Sequence, residues 1–140
     1  MKIIELTAYS ALDVQDMDRL MHQLSATSYC NEEKLQAVMD DASSHLYVIR
    51  DVGRIVATAT LCVSHTPEFT LGGVEAVVVD NECRGKGLAK ALMVHLMTEA
   101  KRLGCVKLHL TSNPKRVAAN ELYRKIGFSL YATNYYELEL

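Results

Sequence analysis

The chain has no tryptophan, two prolines and two phenylalanines among 140 residues. Nowhere does it run apolar for the roughly 20 residues that a membrane span requires. Its opening, Met1-Lys2-Ile3-Ile4-Glu5-Leu6, is interrupted by Glu5 before the apolar stretch of a secretory signal could form. It also lacks an excess of one charge: 15 basic against 17 acidic residues leave a net −2, so no broad cationic surface favours nucleic acid or an anionic membrane. Any anion site must be local. The four cysteines, Cys30, Cys62, Cys83 and Cys105, are widely separated and form no disulfide framework, which predicts reduced thiols in a cytoplasmic protein. Cys105 and His109 would share a strand face, but two ligands do not make a metal site, and no metal is expected. What the chain does have is 49% apolar and 23% charged residues without a biased segment, the profile of one ordered domain over residues 1–140.

Periodicity orders the elements. Residues 2–8 read as a strand, and Ser10 as the cap of a helix over about 11–24, with Leu12, Met17, Leu20, Met21 and Leu24 as its apolar stripe. Asn31 caps a second, short helix that turns Leu35, Val38 and Met39 inward. Residues 45–50 and 54–63 form a hairpin about Asp51-Val52-Gly53, and Gly72-Gly73 close a loop before the next strand. Residues 74–79, Val-Glu-Ala-Val-Val-Val, are apolar on both faces, as in a central strand covered on both sides. A helix over 87–103, a strand over 106–111, a helix opened by Asn113-Pro114 and two closing strands at 128–131 and 135–140 complete the order. The expected architecture is a mixed α/β fold: a single mixed sheet of about seven strands flanked by four helices. The crossover between strands 74–79 and 106–111 should be right-handed and make them parallel.

Between strand 74–79 and the following helix lies Arg84-Gly85-Lys86-Gly87-Leu88-Ala89. The unpaired N–H groups of a helix's first turn converge there with the positive end of its dipole. Gly85 and Gly87 leave no side chain in the way of a phosphate, and Arg84 and Lys86 add charge. The spacing fits neither a Walker loop nor a dinucleotide fingerprint, since counting from Gly85 puts Lys90 at the last glycine position.

Arg84-x-x-Gly87-x-Ala89 resembles the (Gln/Arg)-x-x-Gly-x-(Gly/Ala) signature of the GNAT superfamily of N-acetyltransferases. The resemblance extends through strands 74–79 and 106–111 and the segment from Asn113 to Phe128, and reaches Tyr136. It implies a sheet splayed between those two strands and acetyl-coenzyme A in the gap. Residues 84–89 would wrap its pyrophosphate, and the backbone of Val77, Val78 and Val79 would pair with its pantetheine amides.

Arg116, Asn120 and Tyr123 fall at i, i+4 and i+7, one stripe of the helix they share. On periodicity alone this is an amphipathic face. The resemblance assigns Asn120 to the cofactor and makes Tyr123 the general acid beside the thioester sulfur. A phenol of pKa about 10 carries its proton at neutral pH and can lend it to a departing thiolate. Glu75, within an apolar strand and by alternation on the face of Val77 and Val79, is expected either to be buried with a raised pKa and act as general base, or to be held in a salt bridge, with His65, Tyr135, His109 or bulk water as the substitutes for it.

The expected activity is transfer of acetyl from acetyl-coenzyme A to a primary amine, with a small molecule favoured over a peptide or protein as acceptor. A longer acyl donor and a non-catalytic acyl-coenzyme A sensor are the other readings. Members of the superfamily often dimerise, so a homodimer is an expectation that rests on the resemblance alone.

Overall fold

The computed structural model describes all 140 residues, which divide into two compact units, Met1–Leu110 and Thr111–Leu140. The first holds β1 (Ile3–Glu5), α1 (Ala11–Leu24), α2 (Glu32–Asp40), β2 (Ser44–Asp51), β3 (Arg54–His65), β4 (Thr70–Val79), α3 (Leu88–Arg102) and β5 (Lys107–His109); the second holds α4 (Val117–Lys125). Ser10 and Asp13 close a reciprocal capping box at the start of α1. Asn31 accepts from the Lys34 N–H at the start of α2, as its sequence position anticipates.

Five strands lie in the order β1-β2-β3-β4-β5, antiparallel except for the parallel pair β4–β5. The expectation of about seven strands is corrected. Residues 128–131 and 135–140 form no ladder, and Leu130, Tyr131, Tyr135, Tyr136, Leu138 and Leu140 are exposed. Alternating Tyr, Leu and Glu describes which side chains would share a face; a strand also needs a neighbouring strand for its backbone ladder.

Helices cover both faces of the sheet. On one face Met17 and Leu20 of α1 and Leu35 of α2 pack with Leu46, Val48, Ile55 and Val78. On the other lie Leu92, Met93 and Leu96 of α3, and the ring of His95 meets the buried Tyr47 edge-on at 4.9 Å. Leu12, expected in the stripe of α1, is exposed. Its core face instead carries Asp13 and Asp16 beside Met17 and Leu20.

The long hairpin of β3 and β4 also departs from expectation. Its turn is confined to Thr66–Phe69, closed by Thr66 N–H donating to the Phe69 carbonyl at 3.2 Å, and Gly72-Gly73 lie inside β4 rather than in a loop. Both glycines face β5 closely: a Cβ at position 72 would meet Leu108 Cδ2 at 2.5 Å. The pair marks a close approach, a second reason besides turns for glycine in a strand. In the second unit, α4 starts at Val117, not beside Pro114. The Asn113 side chain accepts from the Lys115 N–H at 2.9 Å, which stabilises a turn before the helix instead of capping it.

Candidate active site

The turn after β4 is built from three short pieces. Asp80 ends the strand and caps a single 3-10 turn, Asn81–Cys83: its carboxylate accepts from Glu82 N–H at 3.1 Å and its carbonyl from Cys83 N–H at 2.8 Å. Arg84 to Lys86 then reverse the chain, and Gly87 caps α3. Gly85 and Gly87 both take left-handed φ, 79° and 77°, a conformation that costs other residues about 1–2 kcal/mol. Gly87 brings no side chain to α3, so no side chain caps its first turn, and the amides of Leu88, Ala89 and Lys90 have no acceptor within the helix. Nothing lies within 4 Å of where a Cβ would stand at either glycine. An open cradle of donors at the positive end of a fifteen-residue helix, flanked by the exposed Arg84 and Lys86, fits a phosphate group.

Toward the middle of β4 the sheet opens. The parallel ladder to β5 covers only Leu71–Lys107, Gly72–Leu108 and Gly73–His109. From Val74 to Val79 the strand is paired with β3 alone, which leaves the far edge of Val77, Val78 and Val79 free of a strand. The two strands expected to be parallel do pair in parallel, but β5 is only Lys107–His109 rather than 106–111 and the ladder stops at Gly73–His109.

A bulge interrupts β4 in this region. Glu75 pairs with Thr60 and Val78 with Thr58, so two residues of β4, Ala76 and Val77, oppose one of β3, and Ala76 has φ 51°. The extra residue shifts the alternation. Glu75 shares a face with Val78, Thr58 and Thr60, not with Val77 and Val79 as simple two-residue alternation suggests. It is also exposed, so the burial expected to strengthen it as a base is absent. Its neighbour on that face, Cys62, has its thiol pKa pushed up by burial and also by the negative field of Glu75 and Asp41, against a hydrogen bond with Ser44.

In the second unit, α4 carries Asn120 and Tyr123. The Asn120 side chain donates to the Asn113 carbonyl at 3.0 Å, which ties the helix to the turn before it. Tyr123 is buried, with its ring 6.1 Å from that of Phe128. Burial raises its hydroxyl pKa, against the opposing charge of Arg116, so the phenol holds its proton firmly at neutral pH. Arg116 itself precedes the helix.

These features coincide with what known proteins share. The model of the acetyltransferase (GNAT) family matches residues 11–128, a span that takes in the glycine turn, the open strand and α4. The chain belongs to the GNAT family. A glucosamine 6-phosphate N-acetyltransferase of Trypanosoma brucei brucei is 42% identical over 81 residues, which cover 54% of this chain and 52% of that protein. Glucosamine 6-phosphate N-acetyltransferase 1 of rice is 29% identical over 133 residues, 84% of this chain and 78% of that protein. The crystal structure of a Trypanosoma brucei acetyltransferase superposes with a TM-score of 0.79 at 27% identity, covering 99% of both chains.

Two devices of this GNAT chain escaped the sequence. The bulge at Ala76 leaves no mark in a run of valines. The second is a clamp from α1: the Arg19 guanidinium grips the Asp80 carboxylate and donates to the Ile55 carbonyl at 2.9 Å, while Gln23 accepts from Asn81 N–H at 2.9 Å. Burial works against ionisation of Asp80, but the Glu82 amide and the Arg19 charge outweigh it and hold the carboxyl below its usual range. The clamp fixes where the anion turn begins. The signal that could have found it is the spacing of Asp16, Arg19 and Gln23, which puts three polar residues on one stripe of α1.

Proposed function

We propose that this protein moves an acetyl group from acetyl-coenzyme A to a primary amine of a small molecule, with donor and acceptor bound together. The observation that carries the reading is the open amide cradle at Gly87–Lys90, set at the end of a strand whose outer edge is unpaired from Val74 to Val79. Acetyl-coenzyme A, when bound, supplies the activated acetyl group. Leu88, Ala89 and Lys90 offer amides to its pyrophosphate, with Gly85 and Gly87 giving room and Arg84 and Lys86 giving charge. Backbone groups of Val77, Val78 and Val79 offer the pantetheine amides a strand partner, and Asn120 is the residue that the family resemblance assigns to the cofactor. Tyr123 provides the proton for the departing sulfur. Glu75, exposed beside the bulge, draws in the acceptor's ammonium.

The names of the relatives make amino-sugar phosphates the first acceptor class to try, in a cytoplasmic setting that suits four free cysteines. The test is thiol release from acetyl-coenzyme A against a panel of amines that includes glucosamine 6-phosphate. Amine-dependent release is expected. Tight coenzyme A binding without release for any amine would establish a sensor instead.

A further inference from the structure

His109 lies on the same sheet face as Glu75, on the neighbouring strand. It pairs with Gly73, the last rung before β4 and β5 part, and Glu75 is the next residue of β4 on that face. Gly73 leaves room for the imidazole: a Cβ there would stand 3.3 Å from His109 Nε2, a tight contact, and 3.6 Å from Cε1, so a side chain at 73 would press on the ring. The helices leave this end of the face open: Glu75 and His109 are exposed, and Thr60 and Cys62 are half-buried. The shelf they form stands at the apex of the splay. The free edge from Val79 back to Val74 spans about 17 Å, the reach of an extended acyl-pantetheine arm entering from the glycine turn. His109 stands at the end of that edge.

We propose that His109 is the base that takes the proton of the acceptor's ammonium, while Glu75 holds that ammonium next to it. This rests on the acetyltransferase reading above. An imidazole nitrogen can accept a proton in general base catalysis and a carboxylate can pair with an ammonium, so the division of labour suits both groups. The other polar or charged groups on this face are Cys62 and Ser44, whose side chains hydrogen-bond, Asp41 beside them, and Lys107, whose ammonium sits 4.6 Å from the centre of the Phe69 ring. The imidazole removes one proton from the ammonium. The nitrogen then forms its bond to the acetyl carbon as the carbon–sulfur bond breaks, and the sulfur leaves with that electron pair and takes a proton from Tyr123. The second proton of the nitrogen restores Tyr123 through solvent, and His109 releases its own to water. One proton is lost per turnover.

The test is the pH dependence of kcat/KM for the amine in the wild-type chain and in His109→Gln, Glu75→Gln and Gly73→Ala, with coenzyme A affinity and thermal melting followed in each. In the wild type, kcat/KM is expected to fall on the acid side as the base takes up a proton. His109→Gln is expected to lose about 10²-fold at pH 7 together with that acid limb, to bind coenzyme A normally, and to regain rate with added imidazole. Glu75→Gln should raise KM for the amine and keep the limb. Gly73→Ala, which displaces the ring without touching its chemistry, should lower kcat and leave coenzyme A affinity unchanged. An active wild type whose acid limb and rate survive in His109→Gln overturns the proposal alone. A wild type that releases no thiol with any amine overturns the acetyltransferase reading and this one with it.

Discussion

Replacing Tyr123 by phenylalanine is expected to lower kcat by about 10²-fold and to leave coenzyme A affinity unchanged. The substitution removes one oxygen and keeps the ring that packs near Phe128, so the second unit should fold as before. What is lost is the proton that meets the negative charge developing on the departing sulfur, whose thiol has a pKa of about 8.5 by analogy with cysteine. The sign of the pH dependence follows from burial. Because burial raises the phenol's pKa, the residue stays protonated through neutral pH, and turnover should show no loss from this group as pH rises through the neutral range. Steady-state kinetics at saturating donor check both points. Full turnover in the phenylalanine variant would remove Tyr123 from the chemistry.

The second large effect is on stability. Asp16→Ala is expected to cost about 3 kcal/mol in urea unfolding, a large part of the 5–15 kcal/mol typical of a whole domain. The Asp16 carboxylate is fully buried and accepts from Ile55 N–H at 2.9 Å and from Arg54 Nε at 3.1 Å, with Arg19 at 3.3 Å. Truncation would strand a buried amide and remove the anion that collects two guanidinium groups. Arg19, freed from Asp16, would also hold Asp80 less firmly, so the entrance to the glycine turn should loosen and coenzyme A affinity should fall with stability. Burial pushes the Asp16 pKa up, but hydrogen bonds from Arg54 and Ile55 and the charge of Arg19 more than reverse this and leave it lowered. A carboxyl with a lowered folded pKa stabilises the protein above its unfolded value, about 3.9, and that contribution disappears as pH falls through the folded value. The fall in wild-type stability below about pH 4 should therefore be shallower in Asp16→Ala. An unchanged urea midpoint would show that the network is not stabilising.

How much the sequence revealed depended on whether a feature is local. Helix caps at Ser10 and Asn31, the left-handed Gly87 before α3 and Gly104 after it are set by residues within one turn, and all stand where the chain order placed them. The cradle was legible for the same reason: two glycines, two cations and a helix start within six residues. Pairing across the sheet was less visible. Glu75 was assigned to the wrong face because strand alternation assumes an unbroken ladder, and the extra residue of the bulge is defined only against β3. Gly72-Gly73 looked like a loop because glycine usually marks one; their purpose is room for Leu108 and His109, which come from a strand more than thirty residues away. The C-terminal pattern of tyrosine, leucine and glutamate described a shared face, but no strand formed.

The claim on which the rest depends is that the glycine turn and the open edge of β4 hold acetyl-coenzyme A, and amide chemical shifts during a coenzyme A titration test it residue by residue. The expected result is saturable movement of the Leu88, Ala89 and Lys90 amides together with Val77, Val78 and Val79, while pantetheine, which lacks the pyrophosphate, moves only the valines. Coenzyme A that binds and leaves all six amides in place would contradict the account.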